Sequence, residues 1–183
     1  DVEGGRILID GQPAAYDTPA GALARGIGML HQDPLDVHNL TALENFILGG
    51  PEGLLPDRRS ARKRFVEQAR RLGFALSPDT YVDQLTIGER QQLEIVRLLS
   101  LGAKLLILDE PTTGISAEQK EMLSGSLKRL AREARLTVVL VSHKLEDVEA
   151  LCDDVYVLRR GRVVGHRTLP QPASDLVALM FGG

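Results

Sequence analysis

Two uninterrupted apolar runs stand out in the second half of the chain, Leu105-Leu106-Ile107-Leu108 and Leu136-Thr137-Val138-Val139-Leu140-Val141. Runs of that length, without alternation, suit parallel strands buried on both faces. Ile27-Gly28-Met29-Leu30 is a third, and Arg6-Ile7-Leu8-Ile9 is a short strand closed by the turn dipeptide Asp10-Gly11. Thr18-Pro19 reads as a helix cap and first helical residue, opening a short helix that ends at Gly26. From Asp33 to Gly53 the chain is loop-rich, with a helix expected over 43–48.

Helical spacing dominates elsewhere. Phe65, Ala69 and Leu72 fall at i, i+4 and i+7 in a helix expected over 60–72, with Gly73 where a left-handed cap belongs. An apolar helix through Leu93, Ile95, Val96, Leu98 and Leu99 ends at Gly102. Leu123, Leu127, Leu130 and Ala134 make one stripe of a helix over 116–134, which Ser116 and Gln119 open as a capping box. A shorter helix over 144–152 follows. Residues 155–158 and 162–164 flank Arg160-Gly161 as a hairpin, and a small helix covers 174–181. Strand and helix in alternation predict a mainly parallel sheet flanked by helices, an α/β fold.

Composition narrows the class. The 183 residues are 43% hydrophobic and 26% charged, which fits one globular domain and excludes a disordered chain. A net charge of -3 argues against a stand-alone nucleic-acid binder. Cys152 is the only cysteine, so an internal disulfide is impossible. No apolar run approaches the ~20 residues of a membrane span. The basic stretch with Arg58, Arg59, Arg62, Lys63, Arg64, Arg70 and Arg71 reads as a solvated helix face; contact with a membrane surface or an acidic partner is the sharper alternative.

The chemistry gathers at strand ends. Leu105 to Leu108 run straight into Asp109-Glu110-Pro111-Thr112. Ligands of open α/β sheets sit beyond the carboxyl ends of strands. Adjacent strand residues point to opposite faces, so Asp109 and Glu110 have different tasks, one of them suited to holding Mg²⁺. The next strand ends in His143, able to donate to a phosphate oxygen, and Ile27 to Leu30 end in His31-Gln32. Three strand ends thus bring Gln32, Asp109-Glu110 and His143 to one rim. Leu85-Thr86-Ile87-Gly88-Glu89-Arg90-Gln91 places a hydroxyl and a glycine at a helix start, where free N–H groups and the dipole favour anions.

Together these segments resemble the nucleotide-binding domain of ABC transporters. Gln32 matches the Q-loop, Leu85 to Gln91 the signature motif, Leu105 to Glu110 the Walker B strand, Thr113 to Ser116 the D-loop and His143 the switch histidine. His31-Gln32, Gly88-Glu89, Val141-Ser142-His143-Lys144 and Leu158-Arg159-Arg160-Gly161 lean toward importers of simple sugars and nucleosides. The resemblance implies a P-loop NTPase-like sheet over 1–32 and 103–168, a Q-loop and helical signature region over 33–102, and a terminal helix over 169–183. It implies ATP and Mg²⁺ as ligands. Asp109 and Gln32 would organise the metal, Glu110 would polarise the attacking water and His143 would contact the γ-phosphate. Thr86, Gly88, Glu89 and Ser116 would meet ATP held by a second such domain in a head-to-tail pair. The implied partners are an integral-membrane permease, reached through Gln32 and the loop after it, and indirectly a substrate-binding protein. The implied location is the cytoplasmic face of the cell membrane.

Three departures from the family pattern stand out. The signature carries Thr86, Ile87 and Glu89 where Ser, Gly and Gln are commonest, and the D-loop carries Ser116 in place of an aspartate. No G-x-x-x-x-G-K-[ST] phosphate loop occurs in the 183 residues. A truncated parent is the expected reason, with a naturally degenerate, non-catalytic domain as the alternative. A strand lost with that loop is expected to leave residues 105–108 as an exposed apolar edge.

Overall fold

The computed structural model describes residues 5, 7–9, 11–13, 18–48, 50, 57–133 and 136–182. It opens with a small antiparallel hairpin of β1 (Leu8–Ile9) and β2 (Gln12–Pro13). Arg6 and Asp10, expected in this strand and turn, lie outside the described residues. Thr18 caps α1 (Pro19–Ala24) by accepting the Gly21 N–H at 3.1 Å.

The central sheet is parallel throughout, in the order β3 (Ile27–Leu30), β4 (Leu105–Asp109), β5 (Thr137–Val141). Register pairs Leu30 with Leu108 and Asp109 with Val141, so all three carboxyl ends share one rim. The exposed apolar edge expected over 105–108 does not form. Strand β4 is not an edge: it is hydrogen-bonded on both sides, and Leu106 and Leu108 are fully buried. The described order ends at β3 and β5 instead, and on one face of β5 Val139 and Val141 keep 43% and 50% exposure. That run is therefore not buried on both faces, because nothing described packs beyond it.

Three helices form a layer of their own. It comprises α2 (Ala42–Leu48), α3 (Arg58–Leu72) and α4 (Ile87–Ser100), which pack on one another. Ala61, Phe65, Ala69 and Leu72 form the buried stripe of α3, and Phe65 meets Phe46 edge-on with ring centroids 5.4 Å apart. The Asp57 carboxylate accepts from the Arg59 and Ser60 amides, so α3 begins two residues before its expected start. Gly73 ends it at φ 74°, a left-handed conformation that only glycine adopts cheaply. The helical layer meets the sheet closely at Gly28. A Cβ there would lie 3.1 Å from Leu106 Cδ2 and 3.2 Å from both Ala103 Cβ and Leu98 Cδ2.

Helix α5 (Ala117–Glu133) packs against α4, with Ser126 Oγ donating to the Leu72 carbonyl at 2.7 Å, and α6 (Leu145–Leu151) packs against α5. Leu123, Leu127 and Leu130 are buried as the stripe predicts, and Ala134 lies outside the described residues. The hairpin of β6 (Asp154–Arg159) and β7 (Arg162–Thr168) is longer than its apolar cores suggested. Polar ends extend it: Asp154 Oδ1 accepts from Thr168 Oγ1 at 2.8 Å and meets His166 Nε2 at 3.0 Å. α7 (Ala173–Phe181) packs against β6. No helix among the described residues is long and apolar enough to cross a membrane.

Candidate functional site

Glu110 stands where β4 leaves the sheet. Its N–H donates to the Val141 carbonyl at 2.9 Å, carrying the β4–β5 ladder one residue further. Its φ of 48° then turns the chain sharply, and the Thr113 N–H closes the turn onto the Glu110 carbonyl at 3.1 Å. The carboxylate points toward the end of β5. Its Oε1 accepts the His143 N–H at 2.9 Å and lies 2.6 Å from His143 Nδ1, while Ser142 Oγ sits 3.5 Å from Oε2. The Glu110 side chain is 15% exposed and the His143 side chain 75%, so a carboxylate at the sheet rim is paired with a ring open to solvent. Asp109 and Gln32 sit at the same rim, on β4 and two residues beyond β3. Neither side chain has a hydrogen-bond or ion-pair partner among the described residues. Two hard oxygen donors are thus left unengaged beside a carboxylate–imidazole pair.

The remaining residues expected at the site form a second cluster. Thr86 caps α4, and Glu89 folds back onto it. The Thr86 N–H and hydroxyl both donate to Glu89 Oε2, at 2.8 and 2.7 Å, and the Glu89 N–H donates to Thr86 Oγ1 at 3.3 Å. Gln119 Nε2 donates to the same hydroxyl oxygen at 2.8 Å. It also lies over Gly88, where a Cβ would come within 2.8 Å of its side-chain amide. Ser116 joins through the other end of Gln119: its N–H donates to Gln119 Oε1 at 3.1 Å, and its Oγ accepts the Gln119 N–H at 3.2 Å. Thr86, Gly88, Glu89 and Ser116 are therefore one group, knit by Gln119. No described hydrogen bond or ion pair joins it to Gln32, Asp109, Glu110 or His143.

Two further contacts escaped the sequence reading. Arg90, on the first turns of α4, holds Asp36 with Nε and Nη2 at 2.7 and 2.8 Å. Hydrogen bonding to Asp36 raises the Arg90 pKa further, and the pair ties the loop after Gln32 to the helix after Thr86. Asp147 on α6 is the second, buried against Thr112 and Lys120. Burial alone pushes this carboxyl up, but hydrogen bonds from Lys120 and Thr112 hold it below the ordinary carboxylate range. Partners 54 and 35 residues apart leave no local signature.

A family model described as ABC transporter matches residues 1–113. The nucleoside import ATP-binding protein NupA of Lactococcus lactis is 33% identical over 97% of this chain, and the arabinose import ATP-binding protein AraG 1 of Burkholderia ambifaria 34% over 98%. The chain spans 36% of the length of each. Among solved structures, cbiO1 from Clostridium perfringens, part of the ABC transporter complex cbiONQ, superposes with a TM-score of 0.78 at 26% identity, covering 98% of this chain and 70% of that one. A dimeric post-hydrolysis form of the ATP-binding cassette MJ0796, bound to ADP and Pi, gives 0.75 at 25%, covering 92% and 75%. The family-model match over more than half of the chain and relatives of this identity show that the chain belongs to the ABC transporter family.

Proposed function

We propose that this chain is part of the ATP-binding, ATP-hydrolysing subunit of an importer for a simple sugar or nucleoside, acting at the cytoplasmic face of a membrane on a permease served by a substrate-binding protein. The observation that carries the reading is the Glu110 carboxylate held 2.6 Å from His143 at the rim where Asp109 and Gln32 stand unengaged. A carboxylate placed there accepts the proton of a water attacking a phosphoryl group. Its neighbour His143, exposed on the solvent side, orients that carboxylate and is free to reach a terminal phosphate. Asp109 and Gln32 offer the oxygen donors that Mg²⁺ favours, and Mg²⁺ would supply charge neutralisation across the phosphates. The phosphate-wrapping loop would come from outside these 183 residues. The Thr86 cluster would serve a second domain in a head-to-tail pair.

The test is Glu110→Gln in the protein expressed from its own gene. ATP hydrolysis is expected to fall by about 100-fold or more, with nucleotide binding kept. Unchanged turnover would overturn the proposal. Absent turnover in the unaltered protein, with stable pairing to a catalytic cassette, would favour the non-catalytic alternative instead.

A further inference from the structure

Asp147 is 1% exposed, and no step above uses it. One of its carboxylate oxygens takes the Thr112 hydroxyl and the other the Lys120 ammonium, which reaches in from α5. Lys144, next to His143, closes the same corner: its Nζ lies 3.4 Å from the Thr112 carbonyl and 3.3 Å from the Thr113 hydroxyl. Thr112 is itself 5% exposed and stands two residues past Glu110. A non-glycine residue at the φ of 48° found for Glu110 persists only where its surroundings over-determine it. On one side the Val141 carbonyl pins the Glu110 N–H. On the other, the pin is Thr112 on Asp147, one helical turn beyond His143. The helix that follows His143 therefore also anchors the turn that aims Glu110.

We infer that Asp147 and Thr112 are positioning residues that hold the Glu110 carboxylate against His143, with Lys120 neutralising Asp147 so that its charge stays buried. Without the Thr112 hydroxyl bond the 110–113 turn relaxes toward negative φ, and the carboxylate leaves the imidazole. The kinetic part of this inference rests on the proposed role of Glu110 in hydrolysis; the geometric part stands without it.

The experiment compares Thr112→Val, Thr112→Ser and Asp147→Asn in the protein expressed from its own gene, with histidine-selective ¹⁵N labelling and the His143 signal assigned by His143→Gln. Thr112→Val and Asp147→Asn are expected to move the His143 ring resonances toward their positions in Glu110→Gln, and Thr112→Ser, which keeps the hydroxyl, to leave them in place. ATP turnover is expected to fall roughly 10- to 100-fold in kcat in the first two variants, with KM held within about twofold. A folded Thr112→Val protein with His143 resonances at their original positions overturns the inference, as does a change confined to KM. Should Asp147→Asn fail to fold, Thr112→Val, which keeps the Lys120 pair, decides alone. Should turnover survive Glu110→Gln, the functional proposal fails, and the resonances by themselves decide the clamp.

Discussion

Thr86 shows how one side chain can be fully committed before any ligand arrives. Its hydroxyl donates once, to Glu89, and accepts twice, from the Glu89 amide and from Gln119. A threonine in this role satisfies donors that a helix start otherwise leaves open. Thr86→Ala should therefore cost about 1 kcal/mol of stability, while Thr86→Ser keeps most of it, as read from urea denaturation. Equal losses in the two variants would show that the methyl packing, and not the cap, matters. The hydroxyl and glycine at this helix start are legible from the residue types alone. The contact with Gln119 is not, because Gln119 lies 33 residues away in sequence.

Helices α5 and α6 are joined by charge as well as by packing. Lys120 on one meets Asp147 on the other, and the pairing raises the Lys120 pKa while the Asp147 pKa is lowered. The sign of the pH effect follows. An unfolded aspartate titrates near about 4. Because the folded carboxyl is held lower, Asp147 adds stability above that value, and this stability is lost as pH falls through its folded pKa. The urea midpoint of the unaltered protein should therefore drop more steeply in acid than that of Asp147→Asn. Parallel curves would mean that the pair contributes nothing to folding. The elements themselves were legible wherever periodicity was strong: α3, α4 and α5 follow their apolar stripes closely. Their ends were less so, since the Asp57 cap sets the start of α3 by a side chain outside the apolar pattern.

At the scale of the molecule, the three-stranded sheet is open at both ends among the described residues. Strand β5 ends the described strand order and keeps Val139 and Val141 in solvent. An unpaired edge with exposed β-branched residues is a template for pairing with another chain. The 183-residue chain alone should thus self-associate at micromolar concentration, and Val139→Lys should reduce the association seen by light scattering. Monomeric behaviour of both would remove the argument. The parallel sheet, the family and the residues at three strand ends could be read from sequence, because buried strands demand contiguous apolar runs and their ligands gather just beyond them. Strand order could not: hydrogen-bond partners of β4 are chosen by packing among segments tens of residues apart, and this put β4 in the middle of the described sheet with β3 and β5 at its ends. The same holds for the Glu110 turn, the Asp36–Arg90 tie and the Thr112–Asp147 pin. Each joins polar groups far apart along the chain, and only the folded backbone brings them within bonding distance.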